Sequence, residues 1–430
     1  MEQQITIGVI GGGAAGMVAA ITAARAGAKV TLLEGGERVG KKLLATGNGK
    51  CNLGNRNLSE ADYNGADQVW LKRCLEQFGP AETEKFFQDL GLWIKDKNGY
   101  LYPLAEQAAV VVDALRIGLS QVGVDVVTEC KVHEIKVSHL FTVITMQGKT
   151  FRFDRVILAC GSKAAPKTGS DGSGYRLVQK LGHRLIPVVP ALVQLRCRET
   201  FLKEIAGVRA EAKLTVLHGR RKADGHLDKG QDCIQEYGEL QLTDYGISGI
   251  PVFQLSRKVN YILFSASPEV EISIDFLPDY TEEQMKSLVK KRLNYMKEGE
   301  GTDHLLSVEE FFTGILNKKL MYLFIKLAGL KRDAKAAETE ESKLRHVFEL
   351  CRDFRVHVTG SNSYDQAQVC AGGVDTTQVD TNMQSKLLAG LYFAGELLDV
   401  DGRCGGYNLH WAWCSGYLAG RNAAEMCKQN

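Results

Sequence analysis

The sequence lacks the features of several protein classes. Its 11 cysteines are an odd number with no C-x-x-C pair, which argues against a disulfide framework. Basic and acidic residues nearly balance, 53 against 51, so we expect no nucleic-acid or membrane partner. No apolar stretch reaches the ~18 residues that cross a bilayer, and the amino terminus has no signal-peptide pattern. We therefore predict a cytoplasmic protein that binds a small molecule and leave its oligomeric state open.

The first 35 residues have the order strand, tight turn, helix, strand. An apolar run at 5–10 precedes Gly11-x-Gly13-x-x-Gly16, and the alanine-rich segment beginning Ala14-Ala15 follows it. A second apolar run ends at Glu34-Gly35. In this context the glycines allow a tight turn and close approach to a pyrophosphate, and the acid can bind a ribose. The pattern predicts a dinucleotide site but does not distinguish FAD from NAD.

The carboxy-terminal part of the chain favours FAD. An apolar strand at 391–394 leads into Gly395-Glu396, which resembles the flavoprotein segment whose acid contacts the ribityl chain. A turn then opens a helix at Gly406-Tyr407-Asn408-Leu409, and its positive end can face the flavin pyrimidine. Gly161, after the buried strand at 155–159, resembles the point where such chains return to the cofactor.

A long glycine-rich loop at 40–52 connects these parts, and a loop of this length in a compact domain needs a function. Its glycines permit close backbone approach to a cofactor, and Lys41, Lys42 and Lys50 can neutralise phosphate or be simply solvated. Within the loop the predicted cofactor contacts are Lys42, Thr46, Gly47, Gly49, Cys51 and Asn52.

Three segments together resemble the bacterial aminoacetone-oxidase-like family of NAD(P)/FAD-dependent oxidoreductases. They are residues 40–52, Ala371-Gly372-Gly373-Val374, and 395–413. The resemblance implies an α/β fold with a discontinuous Rossmann-like FAD domain of the two-dinucleotide-binding-domain flavoprotein type, with a β-rich insertion and a small helical insertion. It also implies a reaction on small amines or on the ring double bonds of 3-oxo bile-acid intermediates. The family often has arginine where this chain has Lys50.

With this fold we predict three domains. The FAD domain comprises residues 1–190 and 366–430, the β-rich insertion 191–279 and 348–365, and the helical insertion 280–347. A capping box at Ser307–Glu310 marks a helix start inside the last.

Three residues near the predicted flavin are candidates for catalysis. Tyr407 and His410 can supply a proton, and Cys51 can have a redox role, although structural roles are favoured for His410 and Cys51. Trp411 and Trp413 cannot share one helix face, so we expect one in the core and one toward the flavin. No metal site is predicted, because histidine and cysteine lack ligand spacing.

No second strand-GxGxxG-helix unit follows residue 35, so NADH or NADPH would bind transiently as the reductant. Arg220-Arg221-Lys222 can hold the extra phosphate of NADPH or be a solvated hairpin tip. The favoured function is hydride transfer from NAD(P)H through FAD to a conjugated C=C–C=O group. Oxidation of a small primary amine with release of peroxide, and modification or binding of a macromolecule, remain alternatives.

Overall fold

The computed structural model describes residues 4–219, 227, 234–265, 269–298 and 306–425. Contacts divide the chain into two compact units: Met1–Pro190 with Ser363–Asn430, and Ala191–Asn362. The first unit is therefore discontinuous in sequence. The division of the insertion into a β-rich and a helical domain stays a prediction.

The helices of the described residues alternate with short strands through most of the chain. The helices are α1 (Ala14–Arg25), α2 (Gln68–Leu75), α3 (Pro80–Gln88), α4 (Ala108–Gln121), α5 (Ser173–Lys180), α6 (Ile250–Phe264), α7 (Glu282–Glu298), α8 (Val308–Phe311), α9 (Lys318–Leu327), α10 (Glu341–Arg352) and α11 (Tyr407–Ala424). The strands are β1 (Thr6–Ile10), β2 (Lys29–Leu33), β3 (Gly54–Asn55), β4 (Tyr63–Asn64), β5 (Ile94–Lys97), β6 (Tyr100–Pro103), β7 (Asp125–Val127), β8 (Val132–Val137), β9 (Phe141–Thr145), β10 (Thr150–Phe153), β11 (Arg155–Leu158), β12 (Leu185–Ala191), β13 (Leu195–Cys197), β14 (Arg209–His218), β15 (Gln235–Leu242), β16 (Gly246–Gly249), β17 (Val270–Asp275), β18 (Phe354–Ser361), β19 (Val369–Val374), β20 (Leu391–Phe393) and β21 (Asp401–Gly402).

A parallel sheet is the centre of the first unit. Its strand order is β20-β11-β1-β2-β7, and every neighbouring pair is parallel. The strands read as apolar runs because parallel sheets are covered on both faces. The sheet draws on both ends of the chain, since Leu391 of β20 pairs with Val156 of β11.

Small residues let the first and last helices of this unit approach closely. A Cβ atom on Gly416 of α11 would lie 2.4 Å from the Ala15 carbonyl oxygen, and one on Gly420 would lie 2.3 Å from that of Ala19. Glycine is required at both positions because any side chain would separate the helices. The helix after the glycine turn is therefore fixed against the carboxy-terminal helix.

The second unit contains a closed barrel with the strand order β13-β16-β15-β14-β17-β18. One hydrophobic cluster joins barrel residues such as Ile272 to helical residues such as Phe324 and Phe348. Ser307 and Glu310 form the predicted capping box at α8. The Arg220-Arg221-Lys222 cluster lies outside the described residues.

Two details of secondary structure differ from the sequence-based expectation. Helix α6 lies inside the stretch read as strands, although Pro251 at its start and the helical spacing of its buried apolar residues are a recognisable signal. The apolar spacing over residues 68–90 predicts a helical segment, and the structure divides it into two helices, because Gly79 caps a new helix whose first residue is Pro80.

Candidate flavin site

The glycine turn after β1 combines two closely packed glycines with one open position. At Gly11 the backbone φ is +107°, and a Cβ there would lie 2.4 Å from the Ala159 carbonyl oxygen. A Cβ on Gly16 would lie 1.8 Å from the Gly11 carbonyl oxygen. By contrast, a Cβ on Gly13 would meet no protein atom within 4 Å. Packing requires the first and third glycines, whereas the second faces open space.

The start of α1 has the properties of an anion site. Gly13 is the N-cap, it makes no side-chain capping bond, and the first turn contains no acidic residue. The amide groups at this end, where Ala14 and Ala15 begin the helix, carry about half a positive charge. An uncapped helix start beside the open space at Gly13 fits a pyrophosphate group.

Glu34, at the end of β2, holds the turn from the other side. Its Oε2 accepts a hydrogen bond from Gly12 N at 2.7 Å, and its Oε1 accepts one from Gly36 N at 2.7 Å. Each oxygen keeps a further lone pair with which to accept from a ribose hydroxyl. Gly35, between these contacts, is exposed.

The turn at 169–175 also reaches Glu34, a proximity that the sequence did not predict. A Cβ on Gly169 would lie 3.9 Å from Glu34 Oε1, so this glycine lies near the carboxylate. Lys131 Nζ pairs with Asp171 Oδ2 at 2.5 Å beside it. The glycines at 169, 172 and 174 indicate a turn before α5, but they do not by themselves indicate that it lies near Glu34.

Glu396 and Lys42 form an ion pair between the two ends of the chain. Lys42 Nζ lies 2.6 Å from Glu396 Oε2, and Ser162 Oγ donates to the same oxygen at 2.9 Å. A Cβ on Gly395 would lie 2.9 Å from Ala15 Cβ, which places this segment against the start of α1. Ser162 directly follows Gly161 in the motif where the chain is predicted to return to the cofactor, and its contact with Glu396 is the part that the sequence did not predict.

The loop at 43–52 holds its shape through left-handed backbone. Gly47 and Gly49 have φ values of +56° and +81°, and the hydroxyl of Thr46 donates to the Leu43 carbonyl at 2.6 Å. Cys51 has a φ of +56° and is fully buried. Burial raises the pKa of its thiol to about 12, so the thiol stays protonated at neutral pH. This environment favours the structural role for Cys51.

Asn52 and Gly406 bring this loop to the start of α11. The amide nitrogen of Asn52 donates to the carbonyls of Gly54 and Leu101 at 2.8 and 3.1 Å. Gly406, the N-cap of α11, has a φ of +93°, and a Cβ there would lie 2.5 Å from the side-chain amide group of Asn52. Like α1, α11 has no side-chain capping bond and no acid in its first turn. Its positive end is therefore available to a ligand.

The side chains of the first turn of α11 differ in burial and in hydrogen bonding. The Asn408 amide binds the Gly402 backbone twice, accepting at 2.8 Å and donating at 2.7 Å, and Leu409 packs against the core. Tyr407 is half-buried, and its carbonyl accepts from the Tyr63 hydroxyl at 3.0 Å. Burial raises the pKa of the Tyr407 phenol, which keeps it protonated and able to donate.

Farther along α11, the rings of His410, Trp411 and Trp413 are buried in the protein interior. His410 is fully buried, and its Nδ1 lies 3.2 Å from Thr83 Oγ1. Trp411 and Trp413 are both fully buried and donate to the carbonyls of Gly395 and Leu53 at 3.3 and 2.9 Å. Both tryptophans are therefore core residues, and each secures a segment of the site.

The pKa of His410 predicts a pH-dependent stability. Burial lowers this pKa from 6.5 to about 4, so between these values the unfolded chain binds more protons. The stabilisation is complete above the unfolded pKa and is lost as pH falls through the folded one. We expect the difference in unfolding free energy between wild type and His410→Asn to shrink by about 2 kcal/mol from pH 7 to pH 4.5. Urea denaturation at both pH values measures it, and a constant difference would contradict the assignment.

The described residues also bear on metal binding and on membrane insertion. These residues contain no group of three or more histidine, cysteine or acidic side chains placed to hold a metal ion. None of the helices in the described ranges has the length and apolarity needed to cross a membrane.

The parallel sheet, the glycine turn, the uncapped helix starts and Glu34 define a Rossmann-type FAD-dependent oxidoreductase, which is an enzyme. Residues 5–422 match the family model described as the HI0933-like protein Rossmann domain, and the chain belongs to that family. This confirms the fold class and the family resemblance that the sequence predicted.

Comparisons with individual proteins extend over the whole chain. The chain is 44% identical over 423 residues to 3-dehydro-bile acid delta(4,6)-reductase of Clostridium scindens, covering 97% of this chain and 99% of that protein. It is 28% identical over 417 residues to ribosomal RNA dihydrouridine synthase of Haemophilus influenzae, covering 95% and 96%. The solved 3-ketosteroid delta1-dehydrogenase from Sterolibacterium denitrificans has a similar fold, with a TM-score of 0.50, 11% identity, and 98% and 100% coverage.

Proposed function

We propose that this enzyme reduces a conjugated C=C–C=O group in a 3-oxo steroid of the bile-acid type. NADH or NADPH supplies the hydride through FAD. The observation that carries the proposal is the 44% identity, over nearly the full length of both chains, to a protein named as a bile-acid delta(4,6)-reductase. Similarity of this extent, over nearly the whole of both chains, supports the same class of reaction.

The residues of the first unit are proposed to hold FAD as follows. The amide groups at Gly13, Ala14 and Ala15 bind the pyrophosphate, because this helix start is uncapped and open. Glu34 accepts from the adenosine ribose with the lone pairs that Gly12 and Gly36 leave.

The Lys42–Glu396 pair is proposed to lie along the ribityl chain. It joins the loop at 43–52 to the segment after β20, and Ser162 fixes the carboxylate between them. The ammonium of Lys42 is already paired with Glu396. Lys42 therefore positions the carboxylate and presents the dipole of the ion pair to the cofactor, and it does not add an unpaired positive charge. The sequence analysis offered phosphate neutralisation or solvation for this lysine and did not indicate the carboxylate partner.

The start of α11 is proposed to face the flavin ring. When bound, FAD accepts a hydride from a nicotinamide and gives one to an electron-poor carbon. The positive end of α11 stabilises negative charge on the pyrimidine side.

Protonation completes the reduction, because the hydride goes to the carbon farther from the carbonyl and a proton to its neighbour. Tyr407 is the proposed donor, acting directly or through water, since its phenol is protonated at neutral pH and half-exposed. His410 is a weaker candidate because it is neutral and enclosed.

Anaerobic spectroscopy tests the proposal. NADH or NADPH should bleach the flavin absorbance band at about 450 nm. A steroid acid with a 3-oxo-4-ene or 3-oxo-4,6-diene group should then restore this band by reoxidising the flavin. Without recovery of the band on adding the steroid, the proposed substrate class is wrong.

The alternatives give different outcomes in the same experiment. Bleaching by aminoacetone or another primary amine, with peroxide formed on admission of air, would favour an amine oxidase. Recovery of the band by uridine-containing ribosomal RNA alone would favour a macromolecular substrate, as the name of the Haemophilus influenzae relative indicates for that protein. Uracil carries a conjugated C=C–C=O group, so this reaction is chemically related.

A further inference from the structure

The hairpin of β5 and β6 presents an outward face that the flavin site does not use. In its register Lys95 is opposite Tyr102, and Lys97 is opposite Tyr100. Because directly paired residues share a side of a sheet, these four side chains lie together, which we call the hairpin face. The intervening pair, Asp96 and Leu101, points to the other side, where Leu101 is fully buried.

Positive charge exceeds negative charge on this face. Lys95 and Lys97 place their Nζ atoms 3.0 and 2.6 Å from Glu106 Oε1, and Lys50 Nζ lies 3.5 Å from Oε2. Hydrogen bonds from Lys97 and Lys95 lower the pKa of Glu106 to about 2, so this carboxylate is ionised at neutral pH. In the described part of the chain, the ion pairs of all three lysines go to this one acid.

The other acid of the hairpin does not offset this excess. Asp96 lies on the opposite side of β5 and pairs with Arg56. Arg56 also pairs with Glu84, at 2.6 Å. The lysine cluster, which comprises Lys50, Lys95 and Lys97, therefore keeps a local charge of about +2.

The hairpin face continues to the start of α11. A Cβ on Gly405 would lie 2.8 Å from Tyr100 Cε1 and 3.3 Å from Tyr407 Cε2, so the two rings flank the same α-carbon. Strand β3 follows Asn52 closely and pairs with β6, with Asn55 opposite Tyr100. The face thus begins beside the proposed proton donor and ends at the lysines.

We propose that the hairpin face and Lys50 recognise the substrate, with Tyr100 and Tyr102 contacting its ring body and the lysine cluster binding a carboxylate at its far end. This rests on the proposed function and adds the requirement that the preferred substrate is anionic. Tyrosine rings offer apolar area with a polar edge, which suits a flat alicyclic body. Exposed ammonium groups attract a carboxylate and leave a neutral ester without a partner.

Variants that remove positive charge from the lysine cluster, or the negative charge of Glu106, test this assignment. We expect the double variant Lys95→Met/Lys97→Met to raise the KM for a 3-oxo-4-ene steroid acid about 10-fold and to leave the KM for its methyl ester within about 2-fold. Glu106→Gln removes the competing carboxylate and should lower the KM for the acid about 3-fold. A purely structural cluster would instead make both variants worse on acid and ester alike.

Controls separate this inference from the proposed function. Lys72→Met removes an exposed lysine on α2 and should change neither KM. If the holoenzyme reduces acid and ester equally well and the variants do not change this, the anion site is wrong and the reductase function stands. If the double variant instead raises only the KM for NADH or NADPH, the cluster binds the nicotinamide dinucleotide and our assignment is overturned. A holoenzyme that reduces neither steroid overturns both proposals.

Discussion

Gly13→Ala is expected to give a folded protein that binds FAD about 100-fold more weakly than wild type, a loss of about 3 kcal/mol. The added Cβ meets no protein atom within 4 Å, and Gly13 has an ordinary φ of −80°, so the chain tolerates alanine. The open space at this position is where the pyrophosphate must approach the backbone. Titration of apoprotein with FAD, followed by flavin fluorescence, measures the dissociation constant.

Two further variants distinguish a loss of FAD binding from a loss of folding. Gly16→Ala would place a Cβ 1.8 Å from the Gly11 carbonyl oxygen, so it should unfold the turn and lower the melting temperature of the apoprotein. Gly79→Ala, at the start of α3, should keep both the fold and the cofactor. Wild-type FAD affinity in Gly13→Ala would show that the pyrophosphate lies elsewhere.

Glu34→Ala is expected to weaken FAD binding by a similar factor of about 100. The carboxylate has two functions, because it holds the Gly12 and Gly36 amides at 2.7 Å and offers its remaining lone pairs to the ribose. Hydrogen bonds to a charged group contribute about 1.5–3 kcal/mol, and the substitution removes both sets. Isothermal titration of apoprotein with FAD measures the effect.

The amide variant gives an intermediate case. Glu34→Gln keeps one acceptor oxygen but turns an NH₂ group toward the other backbone N–H, so we expect a loss of about 10-fold. Glu37→Ala removes an exposed acid three residues away and should leave the affinity unchanged. Equal losses in Glu34→Ala and Glu37→Ala would indicate a general charge effect and contradict the ribose contact.

The sequence predicted those parts of the site whose chemistry lies in consecutive residues. The first strand, the glycine turn and the start of α1 appear at the predicted residues, and so does the start of α11. Such patterns succeed because a turn needs glycine at fixed offsets and a helix start needs free amide groups. The family resemblance implied a discontinuous FAD domain, and the pairing of Leu391 in β20 with Val156 in β11 joins the two ends of the chain in one sheet.

The partners of individual side chains were not predictable in this way. The sequence left Lys42 either near a phosphate or solvated, and it did not indicate the pair with Glu396, 354 residues away in sequence. One tryptophan of α11 was expected near the flavin, yet both are enclosed in the core. Helix α6 is a different case, because Pro251 and the helical spacing of its apolar residues do indicate a helix, although the segments on both sides are strands.

The sequence by itself determined the cofactor class and the position of its glycine turn, because these depend on backbone geometry over a few adjacent residues. Only the tertiary structure decided which charges are paired, which rings are buried, and that a hairpin of lysines and tyrosines lies beside Tyr407. Ion pairing and burial depend on distances between segments far apart in the chain, and these distances are set only when the two ends fold onto one sheet.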